Sequence, residues 1–111
     1  MAVKCGLPQA LKDAGSLDQL KSAPDELLEA MAVTFRGKAK VYGDYVAGMA
    51  TFAGLVSARL KIDVTPSQAA GIMSDLKQSR LLHDPGHRDS AHDKIVYEAM
   101  CLALKMAEGR A

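Results

Sequence analysis

Tryptophan is absent from this chain of 111 residues, and only three Tyr and two Phe supply aromatic surface. Any core must be filled by Ala, Leu, Val, Ile and Met, which favours helices because Ala, Leu and Met have high helix propensity. Neither sign of charge dominates, since 14 Lys and Arg face 13 Asp and Glu for a formal net charge of +1. That balance argues against duplex nucleic acid as a partner, which usually demands a basic surplus, and still allows a local pocket for a small anion. The two cysteines, Cys5 and Cys101, form no Cys-x-x-Cys or Cys/His spacing. They read as reduced thiols of a cytoplasmic protein. No apolar run is long enough to cross a membrane, and Met1 to Gly15 lacks the continuous apolar stretch of a signal peptide. Strand-like alternation, internal repeats, low-complexity tracts and glycine-rich phosphate loops are all missing.

What is present is helical patterning in a chain of single-domain length. Gly6, Pro8, Gly15 and Pro24 break up the beginning, so residues 1–23 read as an arm and residues 24–111 as the body. Pro24 suits a first helical position, with Asp25, Glu26 and Glu29 at the positive end of the dipole. Leu27, Leu28, Met31, Ala32 and Phe35 then repeat with a helical period up to Gly43. A second helix covers YVAGMATFAGLVSARL, where Ala50, Gly54 and Ala58 form a small-residue stripe suited to close helix approach within the fold or between copies. TPSQ, at residues 65–68, spells a capping box, and Ile72, Met73 and Leu76 are the expected buried face of the third helix, continuing to Lys77 and Arg80. Pro85 and Gly86 break the chain before a last helix that starts near Asp89 or Ser90 and ends near Ala107. Its expected inner stripe is His92, Ile95, Val96, Ala99, Leu102, Ala103 and Met106. The fold class is all-α, a bundle of about four helices with an N-terminal arm. A small core of this kind is marginal alone, which points to a homo-oligomer.

Charge concentrates in GHRDSAHDKIVYE, residues 86–98. Asp89 and Asp93 are i and i+4 neighbours, and Tyr97 lies one turn further on. The short connection makes the last two helices antiparallel, so Lys77 and Arg80 face Asp89 and Asp93 at one end of the bundle. One reading is an ion-pair network that fixes the hairpin. The other divides the labour, with Asp89 and Asp93 holding a hard cation such as Mg²⁺ and Lys77 and Arg80 meeting phosphate oxygens, while Tyr97 stacks or hydrogen-bonds. His83, His87 and His92 match no zinc spacing, and Ser90 reads as a helix cap rather than a nucleophile.

The order of these motifs resembles a phage- and prophage-associated family of small helical proteins. The matching residues are Arg36, Tyr42-Gly43-Asp44, the helix end Leu76-Lys77 with Arg80, and His87-Arg88-Asp89-Ser90 with Asp93. The resemblance covers roughly residues 26 to 106 and extends distantly to the all-α, MazG-like nucleotide pyrophosphohydrolases. It implies a ligand pocket near Arg36, Tyr42, Lys77, Arg80 and Tyr97, and a Mg²⁺ site drawing on Glu26, Glu29, Asp89 and Asp93. Two departures stand out. Asp89 and Asp93 are four apart where the enzymes have three, and Lys94 to Glu98 replaces a run of small residues.

Three functions follow as expectations. The first is a nucleotide-binding protein that sequesters a nucleotide, including a signalling nucleotide of host defence. The second is a Mg²⁺-dependent nucleoside triphosphate pyrophosphohydrolase. The third is a non-enzymatic bundle that binds a partner through its small-residue stripe.

Overall fold

The computed structural model describes residues 17–42 and 44–109, with side chains described for residues 21–40 and 44–109. Among them are four helices and no strands: α1 (Leu17–Tyr42), α2 (Tyr45–Leu60), α3 (Pro66–His83) and α4 (Arg88–Glu108). The all-α expectation is met. No described helix is long and apolar enough to cross a membrane.

The chain divides into two compact units, residues 1–33 and 34–111. In the first, the helix begins at Leu17 and not at Pro24, which lies inside it. The turns upstream of Pro24 contain good helix formers, Leu17, Gln19, Leu20 and Lys21, so the ladder starts early and the proline removes one donor from it. Of the expected arm, residues 1–16 lie outside the described residues.

The second unit holds the end of α1 and the other three helices. Asp44 caps α2, its carboxylate accepting from the Ala47 amide at 2.8 Å. Lys61 closes α2 in the left-handed conformation, φ 58°. Ser57 ties the following turn back, its hydroxyl donating to the Ala53 carbonyl at 2.7 Å and accepting from the Val64 amide at 2.9 Å. The Thr65–Gln68 capping box is present in both directions. At α4, His87 is the cap, where Ser90 was expected, because Nδ1 of His87 accepts from the Ser90 amide at 3.2 Å. Ser90 turns inward instead and is buried.

α3 and α4 form the most extensive pairing, and α2 packs on α3. Which faces meet differs from expectation. On α3 the buried residues are Ser67, Ala69, Ala70 and Ser74, while Leu76 is 57% exposed and Ile72 lies outside as well. At about 100° per residue, Leu76 stands ~160° away from Ser74, so burying one exposes the other. Lys77 stays on the Ala70–Ser74 side, whereas Arg80 does not and is exposed. On α4 the buried residues are Ser90 and Leu104, and Ile95, Ala99, Leu102, Ala103 and Met106 all face outward. Small and hydroxyl side chains let the two backbones approach closely, and a line of polar contacts takes the place of an apolar seam. Ser67 donates from its amide and hydroxyl to Glu108 at 3.1 and 2.6 Å. Ser74 donates to Glu98 at 2.5 Å and accepts from Lys94 at 3.2 Å. Lys77 reaches Asp93 at 3.2 Å. No buried side-chain nitrogen or oxygen among the described residues lacks a partner.

Ala50, Gly54 and Ala58 are exposed, and a Cβ added at Gly54 would meet nothing within 4 Å. The stripe therefore does not serve close helix approach within the described fold; α2 buries Ala53 instead.

Candidate functional site

Within the second unit, the end of α1, the start of α2 and the first half of α4 enclose a cleft of about 410 Å³. Each element contributes for a local reason. The Asp44 cap starts α2 and presents Tyr45, Gly48 and Met49 one turn apart along the cleft wall. α1 supplies Thr34, Phe35, Lys38 and Ala39, residues at the three- and four-residue spacing of one helical face. α4 supplies His92, Asp93, Val96, Tyr97 and Met100 by the same rule. The Phe35 and Tyr45 rings meet tilted at 59°, with centroids 5.7 Å apart, a favourable aromatic geometry.

The wall is thus apolar and aromatic over much of its area, with charged groups at Lys38, Asp44 and Asp93. One carboxylate oxygen of Asp93 faces Lys77 Nζ at 3.2 Å, and the other lies 3.5 Å from His92 Nδ1. Burial pushes the Asp93 carboxyl up, but hydrogen bonds to Lys77 and His92 and the positive charges of Lys77 and Lys38 outweigh it and hold it below its ordinary value. Glu98 is also lowered, mainly by the Ser74 hydrogen bond, against burial and with help from Lys94. A cleft of this size with a few convergent polar groups suits a small organic ligand.

The sequence-derived residues are distributed unevenly around this cleft. Tyr97 and Asp93 line it, and Lys77 stands directly behind Asp93. Arg80 and Asp89 are exposed and outside the lining, so the expected pairing of two cations with two carboxylates reduces to Lys77 and Asp93. Asp89 occupies the first turn of α4, where a negative charge complements the helix dipole. Arg36 lies on α1 outside the lining, and the Tyr42 side chain lies outside the described residues. Glu26 and Glu29 are exposed and belong to the first unit. Among the described residues, no group of three or more His, Cys, Asp or Glu side chains is arranged to hold a metal ion.

Sequence reasoning missed Phe35, Lys38, Tyr45 and Met49. Their signal was the Asp44 cap, which fixes the turn between α1 and α2 and so brings residues on either side of it together. Lys94 and Glu98, outside the cleft lining, both engage Ser74 of α3.

The chain belongs to the DUF6378 family, a domain of unknown function, whose model matches residues 26–105. No curated protein and no solved structure matches it.

Proposed function

We propose that the α1–α2–α4 cleft binds a nucleotide and that the protein acts by holding it. The observation that carries this reading is the meeting, in one cleft of about 410 Å³, of the Phe35, Tyr45 and Tyr97 rings with Lys38, His92 and Asp93, the last held from behind by Lys77. A nucleobase is a flat, largely apolar group with polar edges, suited to aromatic walls, while Lys38 supplies positive charge for phosphate and Lys77 offsets the charge of Asp93. Tyr97 and the imidazole of His92 offer hydrogen-bonding groups for the base or sugar. The motif order resembles that of phage-associated helical proteins, a family distantly similar to MazG-like pyrophosphohydrolases, and this resemblance supports the same ligand class. In this reading the cleft sequesters a nucleotide, including a signalling nucleotide of host defence.

Isothermal titration of the full chain against a panel of ribonucleoside mono-, di- and triphosphates and cyclic dinucleotides tests this directly. Saturable binding is expected for at least one, weakened about tenfold or more by Tyr97→Ala and by Lys38→Ala, a loss of ~1.4 kcal/mol. Absence of binding at millimolar ligand would remove the reading.

A further inference from the structure

The second unit buries Ala53, Ser67, Ala69, Ala70, Ser74, Ser90 and Leu104, so Leu104 is the one large apolar side chain buried among its described residues. Larger apolar groups stand outside, and on α4 they are ordered. His92, Ile95, Ala99, Leu102 and Met106 follow one another at intervals of three, four, three and four. That is the a/d spacing of a helix seam that packs against another helix. Ile95 is 46%, Leu102 61% and Met106 52% exposed in the single chain. Soluble proteins do not usually leave such a stripe to water.

We infer that this face of α4 packs against the same face of a second copy, antiparallel, about a two-fold axis near its middle. Two features of the stripe select this occupant. First, the pattern is complementary to its own reverse. Running the helix backwards against itself sets Ile95 opposite Met106 of the other copy, and Ala99 opposite Leu102, so the central layers pair a small residue with a large one. Each contact occurs twice, as a two-fold interface requires. Second, the flank of the stripe carries Glu98 and Lys105, one heptad apart and opposite in charge. In the antiparallel arrangement flanking positions of the same type face each other, so Glu98 of each copy lies beside Lys105 of the other. A parallel pairing gives Glu98 only Ala103 as its neighbour. Both residues are exposed in the single chain, and because Oε1 of Glu98 accepts from Ser74 and lies 3.6 Å from Lys94, the pairing with Lys105 of the other copy falls to Oε2. His92 belongs both to the stripe and to the cleft wall, so the interface adjoins the candidate site without enclosing it.

Sedimentation equilibrium of the full chain at micromolar concentration is expected to give a dimer, and Ile95→Glu with Leu102→Glu is expected to give a monomer. Circular dichroism on that variant checks that helix content is kept. A cysteine experiment reports the geometry independently of the variant's folding. In a Cys5→Ser, Cys101→Ala background, Ala99→Cys chains and Leu102→Cys chains are mixed and oxidised. With the two kinds of chain in equal amounts, random pairing would make about half of the disulfides mixed, and the antiparallel register predicts a mixed share well above that half. A monomeric wild type, a dimer that survives the double glutamate substitution, or a mixed-disulfide share at or below the random half would each overturn the inference.

Discussion

Lys77 Nζ lies 3.2 Å from Asp93 Oδ2, and this one pair joins the α3–α4 hairpin to the cleft of the second unit. It fastens the loop end of the hairpin, and it fixes the carboxylate that lines the cleft. Asp93 also meets His92, so any ligand that draws on Lys77 changes the surroundings of both residues.

The pair has a pH signature. The Asp93 carboxyl is held below its ordinary value of 3.8 in the folded chain. Its ionised form therefore adds stability that is fully present above pH 3.8 and is lost as pH falls through the lowered folded value. Urea unfolding between about pH 6 and about pH 2 is expected to show a shallower acid loss in Asp93→Asn than in wild type. Parallel curves would remove the effect assigned to Asp93. At neutral pH, Lys77→Ala is expected to cost about 1 kcal/mol or less, as partly exposed ion pairs generally do.

At the other end of the hairpin, Glu108 accepts two hydrogen bonds from Ser67, whose amide and hydroxyl are both enclosed. Glu108→Ala strips the Ser67 amide of its partner and leaves the hydroxyl only Thr65 Oγ1, 3.0 Å away. A loss of about 2 kcal/mol is expected, since bonds to charged acceptors are worth more than neutral ones. Chemical denaturation measures it, and a change under half of that would mean that water replaces the carboxylate without penalty.

Ser74 is fully buried and stands between Glu98 and Lys94. In Ser74→Ala the Glu98 carboxyl is expected to titrate higher than in wild type, because its main stabilising hydrogen bond is gone. Carbon-detected NMR titration of the Glu98 side chain reads this shift directly. An unchanged titration would show that Lys94 alone sets the behaviour of Glu98.

Lys61 holds the left-handed conformation that ends α2. A side chain is strained there and glycine is not, so Lys61→Gly is expected to stabilise the chain by about 0.5 to 1 kcal/mol. Gly71 offers the complementary case in mid-helix, where a Cβ would meet only the Cys101 sulfur, at the ordinary contact distance of 4.0 Å. Gly71→Ala is expected to stabilise by a similar amount, about 0.5 to 1 kcal/mol, through helix propensity. Thermal unfolding of the two variants and their combination checks both, and a lowered midpoint in either would refute the corresponding argument.

Helix existence and type were determined by the sequence alone. The period-3.6 patterning, the Thr65–Gln68 capping box and the Pro85–Gly86 break depend on residues close in the chain, and the structure shows α2, α3 and α4 where these signals put them. The approach of Lys77 to Asp93 was also legible, because a short connection forces the two helices to run antiparallel. The orientation of each helix about its own axis was decided only by tertiary packing. Ile95, Leu102 and Met106 form the more apolar stripe of α4, yet Ser90 and Leu104 are what the fold buries. Hydrophobic periodicity shows that a helix has an apolar face but does not say which neighbour covers it. In this hairpin the small faces of α3 and α4 fit together with polar groups satisfying one another. The apolar stripe, the cleft behind Asp44 and the outward turn of Arg80 are consequences of that choice.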